Sequence, residues 1–438
     1  MGFSREICYV VALTLCCSSA LAPAIAAEGA QGTSAPPSIK YERYSATYDV
    51  NVDGTYAERY EWAMRVLDEQ GVTSAKSTSI AYAERLHDIQ IIEAYSVSPD
   101  GRRIDASPNN YRVLQAGPGK GRAGAWCPDH KAMTVLFPDV VSGSLVVFSY
   151  RRVQKQALFP DQFSLALPLS RSEVYDDVQI RLSVPESMAL HVFSRDVDGG
   201  QVKAPQGRRE WLWSFRNAKR ADSEDSHLPW PDAGPLVLAT TFDDYQMLGA
   251  AYEVRSRPKV AVTERVQALA DELTEGAHTP RAQVKAFYDW VSKNIRFVGS
   301  CWGSVVPRDV DRILTSGMGD CKDHAALMQA LMDAKRIPNA LALIRIGPSV
   351  TLPALPVAAA VNHVLNYIPS LDLFVDSSAA NVPFGALPPS ASNKPVVLAG
   401  PLLYGLRETP SIDGPQDWVR TTYKEDPTRR ETIGNAGL

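Results

Sequence analysis

The segment "GMGDCKDHAALMQALMDAKRIPNALALI", residues 317–344, decides how the second half of the chain folds. After Asp320 its apolar residues recur with helical spacing, and the run "ALALI" that follows is typical of a buried strand. Asp320 is a favourable N-cap residue, and Asp323 is placed like the acidic half of a capping box. We therefore predict a helix over about residues 320–335. The side chains expected to pack inward are Ala325, Met328, Leu331 and Met332.

This helix would carry a cysteine, Cys321, in its first turn. The helix dipole and the unpaired backbone N–H groups at that end favour a thiolate, and the same N–H groups can stabilise an oxyanion. A thiol at such a position is a candidate nucleophile. Two simpler roles remain open, namely half of a disulfide or a buried small side chain, and a cysteine at a helix start is more often inert than catalytic.

A nucleophilic cysteine needs a base and a group that orients the base. His363 lies in "AAAVNHVLNYIP" and shares a predicted strand face with apolar neighbours, where an unpaired imidazole would be costly. The sequence "PSLD" at 369–372 predicts a hairpin turn, which would place Asp376 opposite or diagonal to His363. A buried histidine with an acceptor can also be purely structural. We expect His324 to lie on the surface or beside the site.

Composition bounds the class of protein. The chain has 438 residues, of which 45% are apolar and 21% are charged, and this indicates two globular domains with tails. The formal net charge of −4 provides no basic surface, so we predict no nucleic-acid partner.

The N-terminus has the pattern of a secretory signal peptide over residues 1–27. Arg5 precedes a run of small and apolar residues, and Ala24-Ile25-Ala26 supplies an A-x-A cleavage site. An uncleaved membrane anchor is the alternative, although Pro23 favours cleavage. No later apolar run reaches about 18 residues, so the mature chain is not expected to span a membrane. We predict export to the periplasm or the extracellular space.

Three cysteines remain after the signal peptide: Cys127, Cys301 and Cys321. An odd number in an exported protein implies one free thiol or an intermolecular bond, and we predict a Cys127–Cys301 pair with one free thiol. A zinc site is the rival, because Cys127 with His130 and Cys321 with His324 are both C-x-x-H pairs. Their separation far exceeds that in a zinc finger, and we predict no metal and no cofactor.

The pattern of residues divides the chain into domains. Residues 28–40 resemble a linker, and residues 41–250 alternate apolar with polar in short runs, which predicts an all-β, sandwich-like domain. The pattern over residues 258–390 predicts helices followed by antiparallel strands, which is an α+β layout. Residues 391–438 are predicted to be a C-terminal extension with a loose end. The predicted fold class is therefore multidomain.

Three segments together resemble a known family: "GDCKDHAALMQALMDAKRIPNALALI", "LPALPVAAAVNHVLNYIP" and "DLFVDSSAANVPFGALP". They are similar to the bacterial transglutaminase-like superfamily, in the subgroup where an uncharacterised β domain precedes the core in exported proteins. The resemblance implies a papain-like α+β core, with Cys321 as nucleophile, His363 as base and Asp376 as the orienting acid. It also implies that Trp302 lines the acyl site or assists the oxyanion.

The resemblance further implies acyl transfer or amide hydrolysis through a thioester. The substrate would be a protein or peptide of the cell envelope. Its acyl group would pass from the thioester to an amine acceptor or to water. The alternative is a non-catalytic envelope-binding or scaffold protein with a vestigial triad. Members of the subgroup often continue into a third β domain, and whether this chain is a shortened member stays open. No calcium-loop signature is present, and the oligomeric state stays open.

Overall fold

The structure is a computed structural model that describes most of the chain. The described residues are 36–115, 129–220, 231–299, 305–379, 381–400, 404–411, 420–426 and 431–437. Within them, no helix combines the length and the apolar character needed to cross a membrane.

The N-terminal half is almost entirely β-structure. Its strands are β1 Ile39–Val50, β2 Tyr56–Val66, β3 Ser77–Ala83, β4 His87–Val97, β5 Arg103–Asp105, β6 Tyr111–Gln115, β7 His130–Leu136, β8 Leu145–Gln154, β9 Ser164–Pro168, β10 Tyr175–Pro185, β11 His191–Arg195, β12 Asp198–Val202, β13 Arg208–Asn217 and β14 Leu236–Thr240. One short helix, α1 Glu69–Ala75, interrupts them and is capped by Asp68. The predicted all-β domain is thus confirmed as mostly β.

A large mixed sheet forms the centre of this domain, in the order β12-β13-β10-β1-β2-β8-β4-β5. The buried side chains of β1 alternate at Tyr44, Ala46, Tyr48 and Val50, as expected for a strand with one covered face. The small sheet β11-β14-β9 packs over that face, and the sheet β3-β7-β6 contributes to a second core next to it. The arrangement is sandwich-like.

The C-terminal half mixes helices and strands. Its helices are α2 Tyr245–Ser256, α3 Glu264–Leu273, α4 Pro280–Asn294, α5 Val310–Ser316 and α6 Cys321–Ala334. Its strands are β15 Arg296–Phe297, β16 Met318–Gly319, β17 Ala340–Ile344, β18 His363–Ile368, β19 Leu373–Val375, β20 Pro395–Ala399, β21 Gly405–Glu408, β22 Arg420–Asp426 and β23 Glu431–Gly437. The helix predicted over 320–335 is α6, and Thr279 caps α4 with Pro280 at its first position.

The main sheet of this half corrects the predicted C-terminal extension. Its order is β19-β18-β17-β20-β21, so β20 lies inside the sheet and pairs with β17 over Ile344↔Val396 to Leu341↔Ala399. The domain therefore continues past residue 390. The run "PVVLA" has the apolar character of a buried strand, but a Pro-containing loop separates it from the other strands, and only long-range pairing places it.

The predicted boundary at residue 250 falls inside α2. This helix packs against β20, and Gly249 makes the contact so close that a Cβ there would lie 2.3 Å from the Leu398 carbonyl oxygen. Phe242, Leu248 and Leu341 belong to one apolar cluster. The chain therefore enters the second domain before Tyr245.

Replacing Gly249 with alanine should lower the free energy of unfolding by about 1–3 kcal/mol, because the new methyl group forces α2 away from β20. Urea denaturation of full-length protein measures this. Val254→Ala on the same helix is the control, since Val254 is 64% exposed, and it should change stability by at most about 0.5 kcal/mol. Equal stability of both variants would contradict the close contact.

Candidate active site

The start of α6 is closed by a reciprocal capping box. The Asp320 carboxylate accepts a hydrogen bond from the Asp323 backbone N–H at 3.2 Å, and the Asp323 carboxylate accepts one from the Asp320 N–H at 3.3 Å. Gly319 precedes the cap, where a Cβ would lie 3.0 Å from the Asp323 Cβ and 3.1 Å from the His324 ring. The predicted cap is confirmed, and the sequence Gly-Asp lets the chain enter the helix in a crowded place.

Every residue from 321 to 332 is buried, including charged ones. The Lys322 ammonium contacts the Asp320 carboxylate, and the Arg308 Nε donates to Asp323 Oδ2 at 3.1 Å. Burial opposes the charge on Lys322, but the charges of Asp320 and Asp323 outweigh it and raise the pKa of Lys322. Burial, together with the charge of Asp320, raises the pKa of Asp323 against the charges of Lys322 and Arg308. Cys321 lies between Asp320 and Lys322 in the chain, and it is a free thiol that is 2% exposed.

The hairpin of β18 and β19 brings His363 and Asp376 together. Its register pairs Asn366 with Val375, so Asp376 lies one position beyond the ladder and diagonal to His363. His363 Nε2 and Asp376 Oδ2 are 2.8 Å apart. The predicted turn at 369–372 is present, with Asp372 in the left-handed region at φ 44°. The predicted contact between His363 and Asp376 is confirmed.

The Asp376 carboxylate is held as an anion. Its Oδ1 accepts from the backbone N–H and the hydroxyl of Ser378, at 3.0 and 2.6 Å. Burial favours the neutral acid, but the charge of His363 and the hydrogen bonds from His363 and Ser378 outweigh it and lower the pKa of Asp376. A carboxylate fixed in this way can orient the imidazole and stabilise its charged form.

His324 is buried beside this hairpin, which rules out a surface position. It is 2% exposed, and its Nδ1 donates to the Ser377 carbonyl oxygen at 3.0 Å. Burial lowers the pKa of His324, so the ring is neutral at neutral pH. The bond ties α6 to the turn that carries Asp376, and the Asn366 amide, which donates to the Ala325 carbonyl at 2.9 Å, ties α6 to β18.

A cavity with a volume of about 30 Å³ joins the candidate residues. Cys321 and His363 both line it, next to Lys322. The remaining wall is largely apolar and consists of Phe159, Leu248, Tyr252, Val305, Leu343, Ala358, Val361 and Val364. Tertiary packing therefore brings the thiol, the imidazole and, through the imidazole, the carboxylate to one place.

The first domain also reaches this cavity. Phe159 follows β8 of the β domain and is 2% exposed, and its ring packs edge-on against Phe242 at 5.6 Å between centroids. The Arg255 guanidinium on α2 donates to the Leu158 carbonyl oxygen at 2.7 Å. Neither Phe159 nor Tyr252 was among the residues predicted from the sequence. Leu248 and Tyr252 share a helix face by their spacing, but no motif indicates that this face borders a cysteine.

Three predicted residues lie outside the described part of the chain: Trp302, Cys301 and Cys127. The predicted pairing of Cys127 with Cys301 and the role of Trp302 therefore stay predictions. Of the two C-x-x-H histidines, His130 begins β7 in the β domain and His324 lies on α6. Among the described residues, no three His, Cys, Asp or Glu side chains are grouped as metal ligands.

Comparison with known families agrees with this geometry. The family described as "Transglutaminase-like superfamily" matches residues 267–364, which include α6 and the first two residues of β18. This region belongs to the transglutaminase-like superfamily. The family described as a domain of unknown function with solved structure, DUF3857, matches residues 52–221, within the β domain. The resemblance in the sequence is therefore confirmed, and the chain combines a DUF3857 domain with a transglutaminase-like domain.

One solved structure supports the same architecture. A crystal structure of a candidate protease from Parabacteroides distasonis aligns with a TM-score of 0.71 and 18% identity, covering 85% of this chain and 72% of that one. At that identity the likeness shows the fold alone. An M1 zinc metallopeptidase from Deinococcus radiodurans aligns with a TM-score of 0.25 and 10% identity, over 46% and 42% of the two chains, and carries no argument. No curated protein matches the chain. Membership of the superfamily indicates an enzyme of the hydrolase or acyltransferase type.

The His363–Asp376 contact should make stability depend on pH. Because the folded-state pKa of Asp376 lies below its ordinary value of 3.8, the carboxylate stabilises the fold above that value and loses its contribution as the pH falls through the folded-state pKa. Asp376→Asn should therefore be less stable than wild type at pH 7, and the difference should shrink below about pH 4.

Urea denaturation at both pH values measures this difference. Asp372→Asn in the same hairpin is the matched control, because the Asp372 carboxylate accepts a hydrogen bond from the Tyr367 hydroxyl at 2.8 Å, away from His363. A difference between wild type and Asp376→Asn that is constant across pH would contradict the assignment.

Proposed function

We propose that this protein is a cysteine acyltransferase or amide hydrolase that works through a thioester on Cys321. The observation that supports this most directly is the shared cavity, which holds the Cys321 thiol and the His363 imidazole while Asp376 holds the other side of the ring. A nucleophile, a base and a third group that orients the base are the parts of this kind of nucleophilic catalysis.

The proposed reaction has two halves. His363 removes the proton from Cys321, and the sulfur attacks the substrate carbonyl carbon. The tetrahedral intermediate collapses, the C–N bond breaks, and the imidazolium returns its proton to the leaving amine. In the second half His363 removes a proton from water or from an amine acceptor, which attacks the thioester. The C–S bond then breaks, and the imidazolium returns the proton to the Cys321 sulfur. Asp376 keeps its negative charge throughout and stabilises the imidazolium.

Access to the Cys321 sulfur decides whether water or an amine attacks the thioester. Only 2% of Cys321 is exposed, and its cavity has mostly apolar walls, so an incoming acceptor must enter a confined space. Water is present at about 55 M, and an amine competes only if it binds close to the thioester, where its effective concentration is high. We therefore propose a protein or peptide substrate, with hydrolysis or amine transfer set by occupancy of this cavity.

We also propose that the chain acts outside the cytoplasm, with residues 1–27 removed as a signal peptide. This rests on the charged start, the apolar run and the A-x-A site in the sequence. The substrate would then be a component of the cell envelope. Mass spectrometry of the mature protein isolated from its native cell would give the new N-terminus, and a chain that still begins at Met1 would contradict removal of a signal peptide.

The central test is to trap the acyl-enzyme. Full-length protein incubated with envelope extract should carry an adduct on the Cys321 peptide, detected by mass spectrometry, and Cys321→Ala should carry none. His363→Ala should form the adduct about 10²–10⁴-fold more slowly, because the general base is lost. Tyr367→Phe, which changes a buried residue of the same strand, is the matched control and should leave the adduct in place.

A second function, a binding protein with a vestigial triad, predicts a different result. In that case Cys321 would form no adduct with any extract. Iodoacetamide at pH 6 would also label Cys321 no faster than it labels a free cysteine peptide.

A further inference from the structure

Tyr252 is a buried tyrosine on the wall of the Cys321 cavity. It is 4% exposed, and within the part of the chain that the structure describes its hydroxyl has no hydrogen-bond partner. It lies one turn after Leu248 on α2, and both side chains line the cavity. A buried hydroxyl is normally paired, so a hydroxyl without a partner beside a candidate nucleophile requires an explanation.

A phenylalanine at this position would fill the same space without leaving a polar atom unsatisfied. The hydroxyl therefore destabilises the free protein unless a bound water or a ligand supplies a partner. Burial, followed by the charges of Cys321, Asp320 and Asp323, raises the pKa of Tyr252 well above its ordinary value of 10.0. The group is thus protonated at neutral pH and can donate a hydrogen bond.

The other polar side chains of the wall are already engaged. The Lys322 ammonium contacts Asp320, and His363 Nε2 is bonded to Asp376. In the proposed reaction the carbonyl oxygen of the acyl group enters this cavity and becomes negatively charged. A donor that is fixed before the reaction stabilises this charge most effectively, because it does not need to reorient.

We propose that Tyr252 is a further catalytic residue, whose hydroxyl donates a hydrogen bond to the carbonyl oxygen of the acyl group. When Cys321 attacks, the C–S bond forms and the carbonyl π electrons move to the oxygen that the hydroxyl faces. When the intermediate collapses, the C=O bond forms again and the leaving group departs with a proton from His363. Tyr252 keeps its proton throughout. This role rests on the proposed function.

The position of the donor is set by contacts along α2. The Tyr245 hydroxyl donates to the carbonyl oxygens of Pro353 and Leu355 at 2.8 and 3.1 Å. Gly249 abuts β20, and Arg255 bonds to the segment of the β domain that carries Phe159. The helix is therefore fastened near both ends, as a preorganised donor requires.

Two reagents separate this role from a structural one. p-Nitrophenyl acetate acylates a thiolate through an oxyanion, whereas iodoacetamide alkylates it without one. Tyr252→Phe should acylate Cys321 about 10²-fold more slowly than wild type, and its alkylation rate should stay within about twofold. Stopped-flow release of p-nitrophenolate gives the first rate, and mass spectrometry of the Cys321 peptide confirms both products.

Tyr367→Phe is the matched control, because it removes a buried tyrosine hydroxyl that donates to Asp372 outside the cavity, and it should leave the ratio of the two rates unchanged. An acylation rate of Tyr252→Phe equal to that of wild type would overturn the proposal. The Tyr252 hydroxyl would then do no more than bind a water. An equal fall in both rates would also overturn it, because the residue would then act on the thiol or on the fold. If wild type acylates no faster than Cys321→Ala, the proposed function fails first, and this role fails with it.

Discussion

The C-terminal domain depends on one helix that is buried on all sides. Residues 321–332 of α6 are covered by α3, α4 and α5 and by the five-stranded sheet, so no part of this stretch faces water. Most surface helices bury one stripe, and a helix buried all round must be enclosed by layers. The burial brings its N-terminus into the interior, and the first four N–H groups of a helix have no partner within the helix and need partners from elsewhere.

Polar residues at the start of α6 meet that need. Asp320 and Asp323 cap the helix, and Lys322 and Arg308 balance the two carboxylates. Buried ion pairs stabilise little on their own, but removing one partner leaves an uncompensated charge in the interior. The sequence G-D-C-K-D is therefore one electrostatic unit. It holds charged groups next to Cys321 in the chain, and Cys321 lines the cavity in which we propose that the substrate meets the thiol.

The cavity gives the β domain a part in the site. Phe159 comes from the DUF3857 region, while Tyr252 comes from a helix that precedes the matched transglutaminase-like region. The domains also share an apolar cluster that joins Leu236 and Leu238 to Val357 and Ala360, and the Thr240 hydroxyl donates to the Pro356 carbonyl at 3.0 Å. The segment that leads into His363 is thus held by the β domain, so that both domains determine the shape of the cavity wall.

Local signals in the sequence were sufficient for the order of the domains, the start of α6 and the hairpin that joins His363 to Asp376. Each depends on residues close in the chain: a cap three positions long, a turn at 369–372 and a diagonal pair across two neighbouring strands. Such signals depend on short-range geometry, which is determined by residues that are neighbours in the sequence.

The tertiary structure alone decided the remaining features. These are the place of β20 inside the sheet, the burial of His324, and the approach of Phe159 and Tyr252 to Cys321. They join segments that are tens to more than a hundred residues apart in the chain. The apolar periodicity of a segment does not show which other segment its buried face packs against. Apolar burial is non-directional, so a pattern of apolar residues shows that a side chain is inside but does not identify its neighbour.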